Sequence, residues 1–539
     1  MNSPDSRQTM AKVAIIGAGF GGLAAGIALR ENGIDDFLIF EEADDVGGVW
    51  RENTYPGCNC DVPSHLYSLT AQPYRGEVRY PGQRDILDYL RQVVCDHGLR
   101  PHLRLRTAIA QATLDEDTGR WRLTTAQGHI VHAETVIFAV GMLHRRHLPD
   151  IPGRDTFCGD WFHSAQWDHT RDLRGQRVAV VGTGASAVQL IPELAAIAEQ
   201  VRVFQRTPTW VLPKPRPEFG GLTRTLMRKI PITHELYRAL VYYAADLVLA
   251  PVMTGGWSAR PAEWAARAYL RWQVRDPRLR DALTPQHRIG AKRILLSRSY
   301  YRALARDNVE LITTPIHSVT PTGVRTEDGV VHEVDTIVYA TGFRATEFLE
   351  PIRVVGRGGM LLHEYWKNGG GTFLGLAAPK FPNAYFLAGP NTFNAAGSNI
   401  GMKESQLRYI MAAIRLRETS GAAALEVSAH AMASYDRWLQ AAIAHTVWPT
   451  GGPSWYKTAS GRVVTPWPST ARAYARMTAR DPALDLVPLP LRGHATPYRS
   501  SDRFPTRAHP PTPITHRHVV TGISQQRRTS THSFTEDLS

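Results

Sequence analysis

One pattern occurs twice in the chain: an apolar strand runs into a glycine-rich turn, an Ala/Leu-rich helix follows, and a second apolar strand closes the unit. The first copy is VAIIGAGFGGLAAGIALRENGIDDFLIFEE and the second is VAVVGTGASAVQLIPELAAIAEQVRVFQR. A tight turn from strand to helix is what a parallel βαβ unit needs, because the crossover helix must pack back onto the strand it has just left. Each copy has a later echo, TVIFAVG (Thr135 to Gly141) and TIVYATG (Thr336 to Gly342), which are buried-strand runs ending in a small residue and a glycine. The repeat predicts an α/β chain with two Rossmann-like domains, each closed by a strand that leads back to the other. The expected division is 1–150 with 341–480 for the first domain and 151–210 with 291–340 for the second. Residues 211–290, rich in Arg, Ala, Leu, Trp and Tyr, read as a helical insertion. Residues 481–539 read as a disordered C-terminal tail, because periodicity fades and Pro, Thr, Ser, His and Arg dominate.

The turns carry chemistry as well as geometry. Gly17, Gly19 and Gly22 spell G-x-G-x-x-G, and Glu41 ends the next strand nineteen residues after Gly22. The first glycine allows the turn, the second lets the backbone approach a pyrophosphate, and the third lets the helix pack against the strand. The helix N-terminus then faces the phosphate charge, and the acid can bond ribose hydroxyls. In the second copy the turn residues are Gly182, Gly184 and Ala187, and Arg206 stands where the first copy has its acid. A guanidinium grips a 2′-phosphate that a carboxylate would repel, so this site should prefer NADPH to NADH. Thr207, beside it, is a candidate for one more hydroxyl at that phosphate. An ordinary βαβ turn would also use such glycines, and an ordinary strand end could carry Arg206. The two sites together imply a flavin, FAD, reduced by NADPH. They leave open whether electrons pass to O2, a disulfide or a carrier. A disulfide reductase would want Cys-x-x-Cys, whereas Cys58-Asn59-Cys60 has a single spacer.

Bulk properties exclude several classes. The chain has 539 residues and a formal net charge of +13. The basic residues are dispersed and no nucleic-acid motif is present, so a nucleic-acid partner is not expected. Four cysteines form neither a disulfide framework nor a zinc set, and no metal site is expected. The N-terminus is polar and lacks a signal-peptide core, which with the cysteines points to a cytoplasmic protein. The most apolar stretch, Ala239 to Met253, contains Asp246 and Pro251 and reads as too short to span a bilayer, so no transmembrane segment is expected.

Between the two units lies FCGDWFHSAQWD, in which Phe157, Gly159, His163, Trp167 and Asp168 fall at every required place of the type I Baeyer–Villiger monooxygenase fingerprint. GGVWRENTYPGCNCD supplies a second signature of that family with Gly47, Gly48, Trp50, Tyr55, Pro56, Gly57 and Asp61. The chain therefore resembles these class B flavoprotein monooxygenases over roughly residues 11 to 470. The resemblance implies FAD and NADPH as cofactors, and conversion of a small-molecule ketone to an ester or lactone with O2 through a C4a-peroxyflavin. It implies cofactor contacts from Gly48, Trp50 and Asp61. It implies that Arg293, of the Lys292-Arg293 pair, stabilises the anionic peroxide and adduct, and that Asp61 pairs with Arg293. Lys292 would join Arg206 at the 2′-phosphate, and Trp455 would lie near the nicotinamide. His163 is expected to couple domain movement rather than to act as a base. The segment Leu387 to Gln406 sits where relatives line the flavin and substrate region, and it leaves the substrate pocket undefined. Two alternatives stay open: a flavin monooxygenase that oxidises the nitrogen or sulfur of an amine or thioether, and an NADPH-dependent flavoprotein reductase or oxidase.

Overall fold

The computed structural model of the chain describes residues 9–221, 223, 225, 229–230 and 232–489. Two sheets organise it. The larger is centred on strand Thr9–Ile16, which pairs in parallel with Phe37–Phe40 on one side and with Ile130–Phe138 on the other. Ala384–Phe386 also joins Ile130–Phe138 in parallel, whereas Ile109–Asp115 and Arg120–Thr125 extend the sheet as an antiparallel ribbon. The central strand reads as an unbroken apolar run, VAII, because helices cover it. Helix Phe20–Glu31 follows it and packs between the sheet and the long helix Asn399–Ser420. Val13, Ile15, Leu23, Ile27, Ile410 and Ile414 share one buried core there.

The second sheet is wholly parallel, in the order Val309–Ile312, Gln200–Phe204, Arg177–Val181, Thr336–Tyr339, Asp160–His163. Helix Ala185–Ile197 lies on it through Val188, Leu190, Ile191 and Leu194. The strands holding both sequence echoes pair with the strand that opens their own unit, as Ile130–Phe138 with Thr9–Ile16 and Thr336–Tyr339 with Arg177–Val181. Residues from Val211 onward leave the second sheet and return at Leu295–Ser297, where Val211–Pro213 pairs with the returning strand. Between them lie helices Ile232–Ala244, Ala250–Met253, Ala259–Gln273 and Pro277–Ala282, with a π-helical stretch at Ala245–Leu249. Asp246, buried in that stretch, accepts the N–H groups of Ala471 and Arg472 at 3.0 and 3.2 Å and the Arg472 Nε–H at 3.0 Å. A buried carboxylate thus caps helix Ala471–Met477 and ties the insertion to the larger sheet's layer.

Three expectations are corrected here. The tail does not begin at 481: Pro482–Leu484 forms a 3₁₀ turn and Leu486–Pro488 pairs with Leu425–Val427. The pairing takes backbone hydrogen bonds that need no sequence periodicity, which is why the segment looked featureless. Residues 490–539, the rest of the expected tail, lie outside the described residues. The segment holding His163, placed between the two units, belongs to the second of them, since Asp160–His163 is the edge strand of the second sheet. Finally, the apolar helix is longer than its apolar run. One continuous helix, Ile232–Met253, is long and apolar enough by length and composition to cross a membrane. His234, Glu235 and Arg238 interrupt the run in sequence without interrupting the helix.

Candidate functional site

At the first turn, backbone meets backbone. A Cβ on Gly22 would stand 1.8 Å from the Gly17 carbonyl oxygen, so the helix can close onto the turn only with glycine there. Gly19 and Gly48 face each other, and a Cβ built on Gly48 would lie 3.3 Å from the Gly19 Cα. This leaves a slot walled by main chain, the shape a pyrophosphate requires. Glu41 is buried at the strand end; its carboxylate accepts the N–H of Ala18 at 2.7 Å and of Ala43 at 3.1 Å. One oxygen takes each bond, and lone pairs remain for hydroxyl donors. These features fit the adenosine half of a flavin dinucleotide. Trp50, buried behind Gly48, donates from its indole N–H to the Tyr67 hydroxyl at 2.9 Å. Lys403, against Gly21, brings an ammonium that burial pushes down to about 8.

The second turn is more open. Gly182 has φ of +110°, Gly184 has no atom within 4 Å of a built Cβ, and Ala187 is buried in the helix–sheet contact. Arg206 is exposed at the strand end and forms no ion pair with a described residue. Thr207 presents its carbonyl, which accepts the Thr183 hydroxyl at 3.1 Å. Burial, and after it the charges of Arg206 and Lys457, push the Lys292 ammonium below the ordinary lysine range. A cluster of cations without acids is costly unless an anion joins it, and a 2′-phosphate supplies one.

Between the turns, the loop from Tyr55 to Asp61 docks on the helix of the second unit. Tyr55 donates to Gln189 Oε1 at 2.9 Å, and Gln189 Nε2 donates to Asp61 Oδ1 at 3.1 Å. Asp61 meets Lys214 Nζ at 3.2 Å and Arg293 Nη2 at 3.8 Å. The neighbours Lys292 and Arg293 thus point to different places, one to Arg206 and one to the loop beside the first slot. The Arg293 guanidinium lies 5.9 Å from the Phe393 ring centre, and Phe393 in turn meets Trp455 edge-on at 4.9 Å. The structure therefore brings Asp61, Arg293 and Trp455 into one region. Gln189 and Lys214 belong to it too, and sequence reasoning missed them. No motif marks a Gln inside a helix or a Lys between prolines. Cys58 and Cys60 are free thiols, and burial pushes them up to about 11 and about 12, where a thiolate is scarce at neutral pH.

The fingerprint residues gather at and beyond the edge strand of the second sheet, and Trp167 packs against the core that also holds Tyr55. Phe157 is buried in the sheet's core, and a Cβ on Gly159 would stand 2.2 Å from the Asp335 carbonyl oxygen. His163 accepts the Ala165 N–H at Nδ1 (3.1 Å), so its Nε2 carries the proton and donates to the Gly342 carbonyl at 3.0 Å. Burial pushes it down to about 4, which keeps it neutral. Trp167 packs edge-on to Phe162 at 4.9 Å, and Asp168 accepts both the N–H and the hydroxyl of Thr170.

The chain is similar to known proteins in sequence and in fold. Residues 10–220 match the family model described as flavin-binding monooxygenase-like. A Baeyer–Villiger monooxygenase of Streptomyces coelicolor is 43% identical over 472 residues, covering 87% of this chain and 91% of that protein. Among solved structures, an oxidised steroid monooxygenase bound to NADP superposes with a TM-score of 0.78 at 32% identity, covering 87% of this chain and 97% of that one. The OTEMO complex with FAD and NADP does so with a TM-score of 0.78 at 27% identity, over 87% and 97% of the two chains. The two sheets and their paired turns are those of a flavin-binding monooxygenase. Within that class, the chain belongs to the Baeyer–Villiger monooxygenases.

Proposed function

We propose that the protein is an FAD- and NADPH-dependent monooxygenase that converts a ketone to an ester or lactone with O2. The observation that carries this reading is the Asp61–Arg293 pair, which sets a positive charge on the loop that docks one glycine-turn unit on the other. The larger sheet holds FAD, with Gly17, Gly19, Gly22 and Gly48 lining the pyrophosphate slot and Glu41 bonding ribose. The second sheet holds NADPH, with Gly182, Gly184 and Ala187 at the turn and Arg206, Thr207 and Lys292 around the 2′-phosphate. Bound FAD would supply the activation of O2, with NADPH as the reductant.

The chain's own residues do the rest. Arg293 stabilises negative charge as it develops on the ketone oxygen, and it does so without reorganising because Asp61 already holds it. Lys214 and Gln189 fix Asp61 in turn, so the loop cannot shift without breaking contacts to the second unit. Trp455 and Phe393 give the guanidinium an apolar wall that excludes water and strengthens its field. His163, neutral and bonded at both nitrogens, positions the edge strand and moves no proton. Four free or unpaired cysteines suit a reducing compartment.

The test is turnover of the purified holoenzyme with NADPH, ¹⁸O-labelled O2 and a panel of linear, cyclic and aromatic ketones, read by mass spectrometry. One labelled oxygen in an ester or lactone is expected. NADPH consumed with hydrogen peroxide as the sole product would overturn the reading in favour of an oxidase. Label found only in sulfoxides or amine oxides from a parallel panel would assign heteroatom oxidation instead.

A further inference from the structure

Helix Ile232–Met253 is amphipathic the wrong way round. A helix on the surface of a soluble protein turns its polar stripe outward. Here Ile232, Leu236 and Leu240 are 63%, 63% and 65% exposed. Tyr243 and Leu247 continue the same face one turn at a time, followed by Val248 and Leu249. Glu235 is the one charged residue fully exposed along this helix. The polar side chains face the protein: the His234 ring lies 3.9 Å from that of His65, and Arg238 donates to the Thr70 hydroxyl at 2.9 Å. The next helix continues the theme. Trp257, in the turn just before it, and Trp264 and Trp272, two turns apart on it, are 69%, 71% and 70% exposed. The Ser258 hydroxyl donates to the Val248 carbonyl at 2.5 Å and joins the two elements.

Charge separates the partners that could cover such a face. Residues 211–290 hold thirteen Lys and Arg against six Asp and Glu, so this stretch of 80 residues carries +7 of the chain's +13. Arg260, Arg271, Arg275 and Arg278 are exposed beside the tryptophans and form no ion pair with a described residue. A symmetric dimer through this face would press two such surfaces together. An anionic surface with an apolar interior meets both demands. Apolar side chains enter the acyl boundary, tryptophans sit at headgroup level and arginines meet lipid phosphates. The Asp246–Arg472 contact and the inward-facing His234 and Arg238 fix one side of the helix to the folded protein, so it lies along such a surface rather than spanning it.

We propose that this insertion is a docking surface for anionic phospholipid bilayers. The inference stands independently of the ketone chemistry. Full-length holoenzyme would be sedimented with vesicles of phosphatidylcholine mixed with phosphatidylglycerol, and with vesicles of phosphatidylcholine alone. Binding to the mixed vesicles is expected, about tenfold weaker on phosphatidylcholine alone and weakened by salt. The variants Leu236→Gln/Leu240→Gln and Trp257→Ser/Trp264→Ser/Trp272→Ser, purified with their flavin, should lose most of that binding. Quenching of wild-type tryptophan fluorescence by acyl-brominated lipid reads insertion without any variant. Failure to sediment with either vesicle, or no quenching, overturns the proposal. So does self-association in light scattering that the same substitutions abolish, which would assign the face to a second copy of the chain.

Discussion

At the first glycine turn the following strand ends in a buried carboxylate; at the second it ends in an exposed guanidinium. The backbones are alike, with φ of +103° at Gly17 and +110° at Gly182. Their closeness is not. The first helix touches its turn at Gly22, and the slot is roofed by Gly48, whereas a Cβ at Gly184 meets open space. If the proposed function holds, the first geometry suits a nucleotide that stays, and the second one that enters and leaves with each turnover. The difference teaches that the same turn is tuned by its surroundings: a second glycine loop closes one, and a cationic cluster with no roof serves the other.

Gly22→Ala should break this contrast most severely. Its methyl has no room beside the Gly17 carbonyl oxygen, so the protein should purify without flavin absorbance or not fold. Gly184→Ala should keep its flavin and raise the KM for NADPH. Equal loss of flavin in both would show that the two turns are equally tight. Next in size is Arg293→Ala. It should retain FAD and its reduction by NADPH while ester formation falls by about 10²–10³-fold, the cost of removing a preorganised charge. Ester made at the normal rate would remove Arg293 from the chemistry.

Arg206→Ala sharpens the contrast on the other side. Loss of a charge-assisted contact of about 1.5–3 kcal/mol should raise the KM for NADPH by roughly 10–100-fold. The KM for NADH should hardly move, since it has no 2′-phosphate, and Arg206→Glu should favour NADH outright. An equal rise for both nucleotides would mean that Arg206 supports the strand end rather than the phosphate.

Both turns, with Glu41 and Arg206 at the ends of the strands that follow them, stood out in the sequence because a phosphate restricts local backbone and charge at fixed spacings, whereas the Lys292-Arg293 pair was reached only through the family resemblance. The hub around Asp61 was not. Gln189 and Lys214 reach Asp61 across 128 and 153 residues, and only the docking of one unit on the other brings them together. Asp160–His163 was hidden for a related reason: four residues at a sheet edge carry no periodicity of their own. The insertion misled differently. Polar residues between its apolar ones shortened the apparent hydrophobic run, although two of them, His234 and Arg238, lie on the inward side of one continuous helix.

The smallest effect concerns acid. Burial pushes His163 and His287 each down to about 4, and His65 to about 3, from an ordinary value of 6.5. Below pH 6.5 the unfolded chain takes up protons that the folded chain refuses, so stability rises with pH in this window. The contribution is complete above about 6.5 and is lost as pH falls towards 4. His163 lies in the second sheet and His287 beside Lys292, whereas His65 alone belongs to the loop of the first unit. Acid should therefore loosen the second site first. Between pH 6.5 and 5, melting temperature should fall and the KM for NADPH should rise while bound flavin, read by its fluorescence, stays constant. His163→Gln keeps a donor for the Gly342 carbonyl and should flatten the slope of melting temperature against pH. Flavin released before the NADPH KM changes would place the acid-sensitive contacts at the first site and reverse the contrast drawn between the two.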